Sequence, residues 1–134
     1  MSRFNKYIDI PYKHNSSDFL GCDCYGLIKL IYKEERNILL PSYIYNEDWY
    51  KKNENHIVNN ISKGFYKVEW PYKLYDGLIF FHGSNFIASH IGLWIGDNKL
   101  IHIYEDSSSM ITKFDGYAKS KLYCAVRYRG IETE

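Results

Sequence analysis

Apolar residues change period partway along this 134-residue chain, recurring every three to four positions near the N-terminus and every second position from Asp76 onward. Leu27, Ile28, Ile31 and Glu35 fall on one stripe, mostly apolar, while Lys29, Lys33, Glu34 and Arg36 lie toward water. The stripe predicts a helix that begins around Cys24 with Asp23 as its cap. It should end near Asn37, a residue that tolerates the left-handed conformation, with Pro41 just beyond. A short segment at 8–12 and a polar stretch at 13–18 precede it. A second helix is expected over 47–63, on a weaker stripe of Tyr50, Ile57 and Ile61, with Gly64 as its stop.

Alternation then predicts strands at 78–81, 90–95, 99–104, 110–114 and 122–129. Helices followed by an antiparallel sheet give an α+β order, with N-terminal helices packed on a central sheet. Gly96-Asp97-Asn98 is a hairpin turn signal, and its length decides how the histidines meet. His90, Gly92 and Trp94 share one face of a strand; Leu100, His102 and Tyr104 share one of the next. A two-residue turn at Asp97-Asn98 would pair Gly92 with Ile103 and set the two imidazoles on opposite faces. A three-residue turn, with Asn98 left-handed as a bulge, pairs Gly92 with His102 and His90 with Tyr104. The imidazoles then become diagonal neighbours at roughly 7 to 8 Å between positions. A histidine dyad therefore requires an odd-numbered turn.

Length and a 46% hydrophobic content fit one domain over 1–134, with a single core. Lysine plus arginine (17) nearly balances aspartate plus glutamate (16), so no global field draws in nucleic acid or an anionic membrane. The N-terminus has no secretory h-region and no 18-residue apolar run occurs, so synthesis in the cytoplasm without a signal peptide or membrane insertion is expected. The 14 tyrosines and 3 tryptophans point to a groove or docking face for something extended. Three cysteines, two separated by one residue, suit neither a disulfide framework nor a four-ligand zinc site. Reduced thiols, no metal and no cofactor are expected.

The candidate chemistry centres on Cys24 at the helix start. Unpaired N–H groups of a first turn and the positive end of the helix dipole favour a thiolate, so a pKa below that of a free cysteine is expected. His90 would take the thiol proton and return it to a leaving amine, His102 would hold the His90 tautomer, and the Cys24 backbone N–H would serve as oxyanion donor. Cys22 reads as a bystander and Cys124 as core. His14, His56 and His82 read as solvated, with His82 ending a core strand near the site, and Glu105-Asp106 reads as a solvated hairpin flank.

These residues resemble the NlpC-type cysteine peptidases of bacterial cell-wall turnover, in particular the branch carried on phage tails. Asp23-Cys24-Tyr25-Gly26-Leu27-Ile28 is similar to that family's Asp-Cys-Ser/Tyr-Gly-Leu-Val. Ser89-His90-Ile91-Gly92-Leu93-Trp94-Ile95-Gly96 is similar to its Ser-His-Val-Gly-Ile-Tyr-Ile-Gly, and Leu100-Ile101-His102 resembles the segment with the third, polar member. Cys24-Tyr25 in place of Cys-Ser, the Leu-Pro-Ser-Tyr run after the helix and the closing strand suggest the tail-associated branch.

The resemblance implies a papain-like core and hydrolysis of a peptidoglycan stem peptide, commonly between D-glutamate and the diamino acid. It implies Cys24, His90 and His102 as catalytic residues, Tyr12 and Asp23 as active-site support, and Tyr25, Ser89 and Trp94 at the substrate. It also implies tail-tip proteins as partners and a virion location, acting at the host cell wall. Departures fall in loops: Tyr75-Asp76-Gly77 replaces Pro-Gly-Asp, and Asn15-Ser16 replaces Gly-Gly, which touches substrate fit more than catalysis. Two other readings stay open, a tail-tip or wall-binding scaffold with little activity and a thiol acyl or amide transferase.

Overall fold

The computed structural model describes residues 3–41, 64–81 and 88–130, the side chains of Ala88 and Ser89 excepted. The expected helix over 47–63, His56 and His82 lie outside the described residues. A 3-10 helix, Arg3–Tyr7, opens the described chain. Two two-residue strands, β1 (Ser17–Asp18) and β2 (Gly21–Cys22), then lead into helix α1 (Cys24–Arg36). Strands β3 (Phe65–Val68), β4 (Gly77–Phe81), β5 (Ala88–Gly96), β6 (Lys99–His102) and β7 (Met110–Lys113) follow, then helix α2 (Gly116–Lys121) and strand β8 (Leu122–Tyr128). The last six strands form one antiparallel sheet in the order β3-β8-β4-β5-β6-β7.

Asp23 starts α1 as expected: its backbone is extended and its side chain accepts the Gly26 N–H at 2.7 Å. Asn37 ends it in the left-handed conformation (φ 55°, ψ 36°), and its N–H bonds back to the carbonyl of Lys33. Glu35, the one charged member of the apolar stripe, accepts the Tyr7 hydroxyl at 2.6 Å and pairs with Arg3 and Lys6. These contacts fasten the 3-10 helix to the last turn of α1.

Apolar residues of α1, among them Leu27, Ile28 and Ile31, pack with Ile79, Ile91, Leu93, Ile101 and Ile103 in the larger core cluster. Leu78, Phe80, Trp94, Leu100, Phe114 and Ala125 form a second cluster, against which Ala118 of α2 packs. Successive residues of β4 divide between the two clusters, so both faces of the sheet are covered and β4 reads as a continuous apolar run. Sequence reading missed β3 and α2 because both are short. None of the α2 residues is buried, so it carries no periodic stripe, and the Asp115 cap on the Ala118 N–H (3.0 Å) marks its start.

The β5–β6 hairpin has the register that brings the histidines together, reached by another route. Leu93 pairs with Ile101 and Trp94 with Leu100, which continues to Gly92 opposite His102. The turn has two residues, not three: Gly96 closes on Lys99, and Asp97 (φ 54°) and Asn98 (φ 57°) are both left-handed. The odd residue enters β5 as a bulge between Trp94 and Gly96. Strand β6 also ends at His102 instead of reaching 104. Beyond it the chain bonds to the N-terminal segment, through Asp9 N–H to Ser109 O (2.9 Å), Ser109 N–H to Ile10 O (2.8 Å) and Tyr12 N–H to Ser107 O (3.1 Å).

Candidate active site

Cys24 is the first residue of α1, and the segments before it are fixed by backbone bonds. The Cys22 N–H donates to Pro11 O (3.0 Å), the Lys13 N–H to Cys22 O (2.9 Å) and the Asp23 N–H to Ser16 O (3.1 Å). Gly26 permits the last of these approaches, since a Cβ there would lie 1.8 Å from the Ser16 carbonyl oxygen. Asp23 is buried, with one carboxylate oxygen on the Gly26 N–H and the other on the Asn15 N–H at 2.9 Å. A carboxylate so placed only accepts, and it supports the site as cap and loop anchor.

The half-buried Cys24 thiol lies against the backbone N–H of Ile91, the residue after His90 in β5. Its pKa is pushed up to about 12, first by burial and then by the negative charge of Asp23. The N–H groups of Ile91, Tyr25 and Cys24 pull the other way and lose. The expected depression of the thiol pKa is thus reversed: the cap that starts the helix sets a carboxylate beside the sulphur. A thiol of this kind requires a base to take its proton.

His90 and His102 are buried on the sheet face opposite α1 and meet directly, with His90 Nε2 2.9 Å from His102 Nδ1. Gly92 lies between them on that face. A Cβ there would sit 2.7 Å from a Leu100 methyl and 3.3 Å from His102 Cβ, so a side chain would push Leu100 aside and crowd the second histidine. Tyr104 stacks on His90 at 4.1 Å between centroids and 10° between planes, and Phe80 adds a tilted contact at 5.9 Å. His102 Nε2 lies 3.0 Å from Thr112 Oγ1 on β7. Burial lowers the His102 pKa to about 4, which keeps the ring neutral at neutral pH and able to accept a hydrogen bond from His90.

Sequence reading did not assign Tyr104 or Thr112 to the site. Tyr104 was already opposite His90 in the odd register, and Thr112 joins the His102 face once β7 pairs Met110 with His102 and Leu100 with Thr112. A cavity of about 460 Å³ opens on this face, lined by His102, Tyr104, Thr112, Phe81, Tyr117 and Lys121 among others.

Tyr12 is half-buried, bridges in parallel to Cys22 and packs against the same cluster as Cys24. It also lines a separate pocket of about 340 Å³ with Lys13, His14, Glu105 and Asp106. His14, expected in solvent, is half-buried there; Glu105 and Asp106 are exposed as expected but form part of its wall. Tyr25 and Trp94, expected at the substrate, are each only 6% exposed. The Tyr25 hydroxyl donates to Pro41 O at 2.8 Å, tying the helix start to the following segment. Trp94 packs edge-on against Trp70, Tyr72 and Phe114. Both are therefore placed in the core. Cys22 is buried with its thiol on Asp18 O, and Cys124 packs against the core. Among the described residues no group of three or more His, Cys, Asp or Glu side chains is placed to hold a metal ion. No helix among them is long and apolar enough to cross a membrane.

A cysteine at the head of a helix packed on an antiparallel sheet, with histidines on the neighbouring strands, defines an α+β fold of the papain-like class. The NlpC/P60 family model matches residues 9–127, and the chain belongs to that family. Its fold is similar to an NlpC/P60 family protein from Bacillus cereus (TM-score 0.64, 23% identity over 91% of this chain and 36% of that one). It is also similar to an NLP/P60 family protein, described as similar to lipoprotein, from Staphylococcus aureus (TM-score 0.63, 18% identity, 92% of this chain and 38% of that one). A third likeness is to the NlpC/p60 domain of the peptidoglycan hydrolase SagA (TM-score 0.60, 20% identity, 91% of this chain and 90% of that one). The chain thus spans little more than a third of the first two proteins and nearly all of the SagA domain. A search of curated proteins gives no match.

Proposed function

We propose that this chain is a cysteine peptidase that hydrolyses an amide bond in peptidoglycan stem peptides, with Cys24 as nucleophile, His90 as base and then acid, and His102 as orienter. The observation that carries the reading is the 2.9 Å contact between His90 Nε2 and His102 Nδ1, with the Cys24 thiol held on the N–H of Ile91, the residue that follows His90. His102 holds one nitrogen of His90, so Nδ1 receives the thiol proton. The sulphur attacks the carbonyl carbon, and the resulting oxyanion takes the backbone N–H of Cys24 at the helix start. Collapse expels the amine, which leaves with the proton from His90, and a thioester remains. Water then attacks the thioester, giving its proton to His90, and the carboxylic acid and free thiol are released.

Membership of the NlpC/P60 family and the fold shared with a domain of a peptidoglycan hydrolase support the substrate class. The bond between D-glutamate and the diamino acid is the one we assign, from the likeness of the motifs around Cys24 and His90. The Cys24-Tyr25 pair and the segment after α1 support a place on a phage tail tip among other tail proteins, acting at the host cell wall. Purified sacculi in a zymogram, with mass spectrometry of the released muropeptides, test the reading. Wild type should clear and release peptide fragments, and Cys24→Ala should do neither. Absence of clearing by wild type would favour a scaffold, and groups added to muropeptides would favour a transferase.

A further inference from the structure

We propose that Thr112 is a positioning residue that sets the tautomer of His102 and, through it, which nitrogen of His90 can accept a proton. This rests on the thiol-hydrolase reading above. The three side chains form a line: His90 Nε2 to His102 Nδ1 at 2.9 Å, and His102 Nε2 to Thr112 Oγ1 at 3.0 Å. A neutral imidazole has one N–H donor and one acceptor nitrogen, so the line has two polarities. In the first, His90 donates from Nε2 to His102 Nδ1, and His102 donates from Nε2 to the threonine oxygen. His90 Nδ1 then carries a lone pair. In the second, every proton shifts along the line: the threonine hydroxyl donates to His102 Nε2, His102 Nδ1–H donates to His90 Nε2, and His90 carries its proton on Nδ1. Only the first arms His90 as a base toward the thiol.

Thr112 favours the first polarity because of where it sits. His102 is 6% exposed, so an N–H at Nε2 with no acceptor would be a buried unsatisfied donor. The threonine oxygen is the acceptor the structure places there. Thr112 is itself half-buried and lines the 460 Å³ cavity, where its own hydroxyl proton can be given to water. Without the hydroxyl, the arming tautomer would leave a buried N–H bare, while the other would leave only a lone pair bare. His102 would then swing toward the form that disarms His90.

The test pairs a structural readout with a kinetic one on the full chain. Imidazole 15N spectra distinguish protonated from unprotonated ring nitrogens, and His102 should carry its proton on Nε2 in wild type and on Nδ1 in Thr112→Val. On muropeptide substrate, Thr112→Val should lower kcat by about ten- to a hundredfold with KM little changed, and Thr112→Ser should restore most of it. Wild-type His102 protonated on Nδ1, or a valine variant with unaltered tautomer or unaltered kcat, would overturn the proposal. If wild type proves inactive on peptidoglycan, the function reading fails while the spectra still decide the tautomer.

Discussion

Replacing Gly26 by alanine sets two opposing effects against each other in one methyl group. Alanine has the higher helix propensity, worth about 1 kcal/mol over glycine. The added Cβ, however, would stand 1.8 Å from the Ser16 carbonyl oxygen and 2.9 Å from the Asp23 carboxylate. To reach even 3.4 Å the carbonyl must retreat by about 1.6 Å, and it is backbone, with no rotamer to turn away. That movement breaks the Asp23 N–H to Ser16 O bond and disturbs the cap on the Gly26 N–H. Each is worth about 1 kcal/mol, and the crowding adds about 1 to 3 kcal/mol. After the propensity gain is subtracted, the variant should be about 2 to 4 kcal/mol less stable, a fall in Tm of roughly 6 to 20 °C for a chain of this size. Thermal and urea unfolding measure it, with Gly116→Ala as control: nothing lies within 4 Å of a Cβ at that helix start, so stability there should hold or rise. A Gly26→Ala protein that unfolds at or above the wild-type temperature would refute the close approach of loop and helix.

Two further outcomes follow from the titrating groups. The His102 pKa lies near 4 in the folded chain against an ordinary 6.5, so the unfolded chain binds more protons between those values. The stability from keeping this ring neutral is present above pH 6.5 and should fall away toward pH 4, by up to about 3 kcal/mol. Urea titrations across that range should show a flatter profile for His102→Asn, and equal slopes would contradict it. Asp23→Asn retains a good helix cap while removing the charge that, after burial, raises the Cys24 pKa. Its Cys24 should alkylate faster than wild type at neutral pH, read by peptide mapping to separate it from Cys22 and Cys124; an unchanged or slower rate would remove Asp23 as a cause.

How much was legible differs from residue to residue. Helix α1 was readable at both ends because Asp23 and Asn37 act on atoms within four residues of themselves. The meeting of His90 with His102 was readable only as a condition, an odd register. The chain meets that condition with a bulge in β5 and a two-residue turn, and both solutions fit Gly96-Asp97-Asn98. Tyr25 and Trp94 sit in motifs beside the reactive residues, so motif position suggested substrate contact. Their burial depends on Pro41 and on the Trp70, Tyr72 and Phe114 rings, which no local pattern connects to them.

The sequence by itself determined a helix opening on a cysteine, a later set of alternating strands, and the spacing that lets two histidines share a face. These are consequences of backbone period and capping, which act over a few residues. Tertiary structure alone decided the state of the thiol and the chain of contacts behind the base. Burial and the Asp23 carboxylate raise the Cys24 pKa where the helix terminus alone would lower it, and Thr112 meets His102 only after β7 pairs with β6. Desolvation and cross-strand contact depend on what the rest of the chain packs against a group.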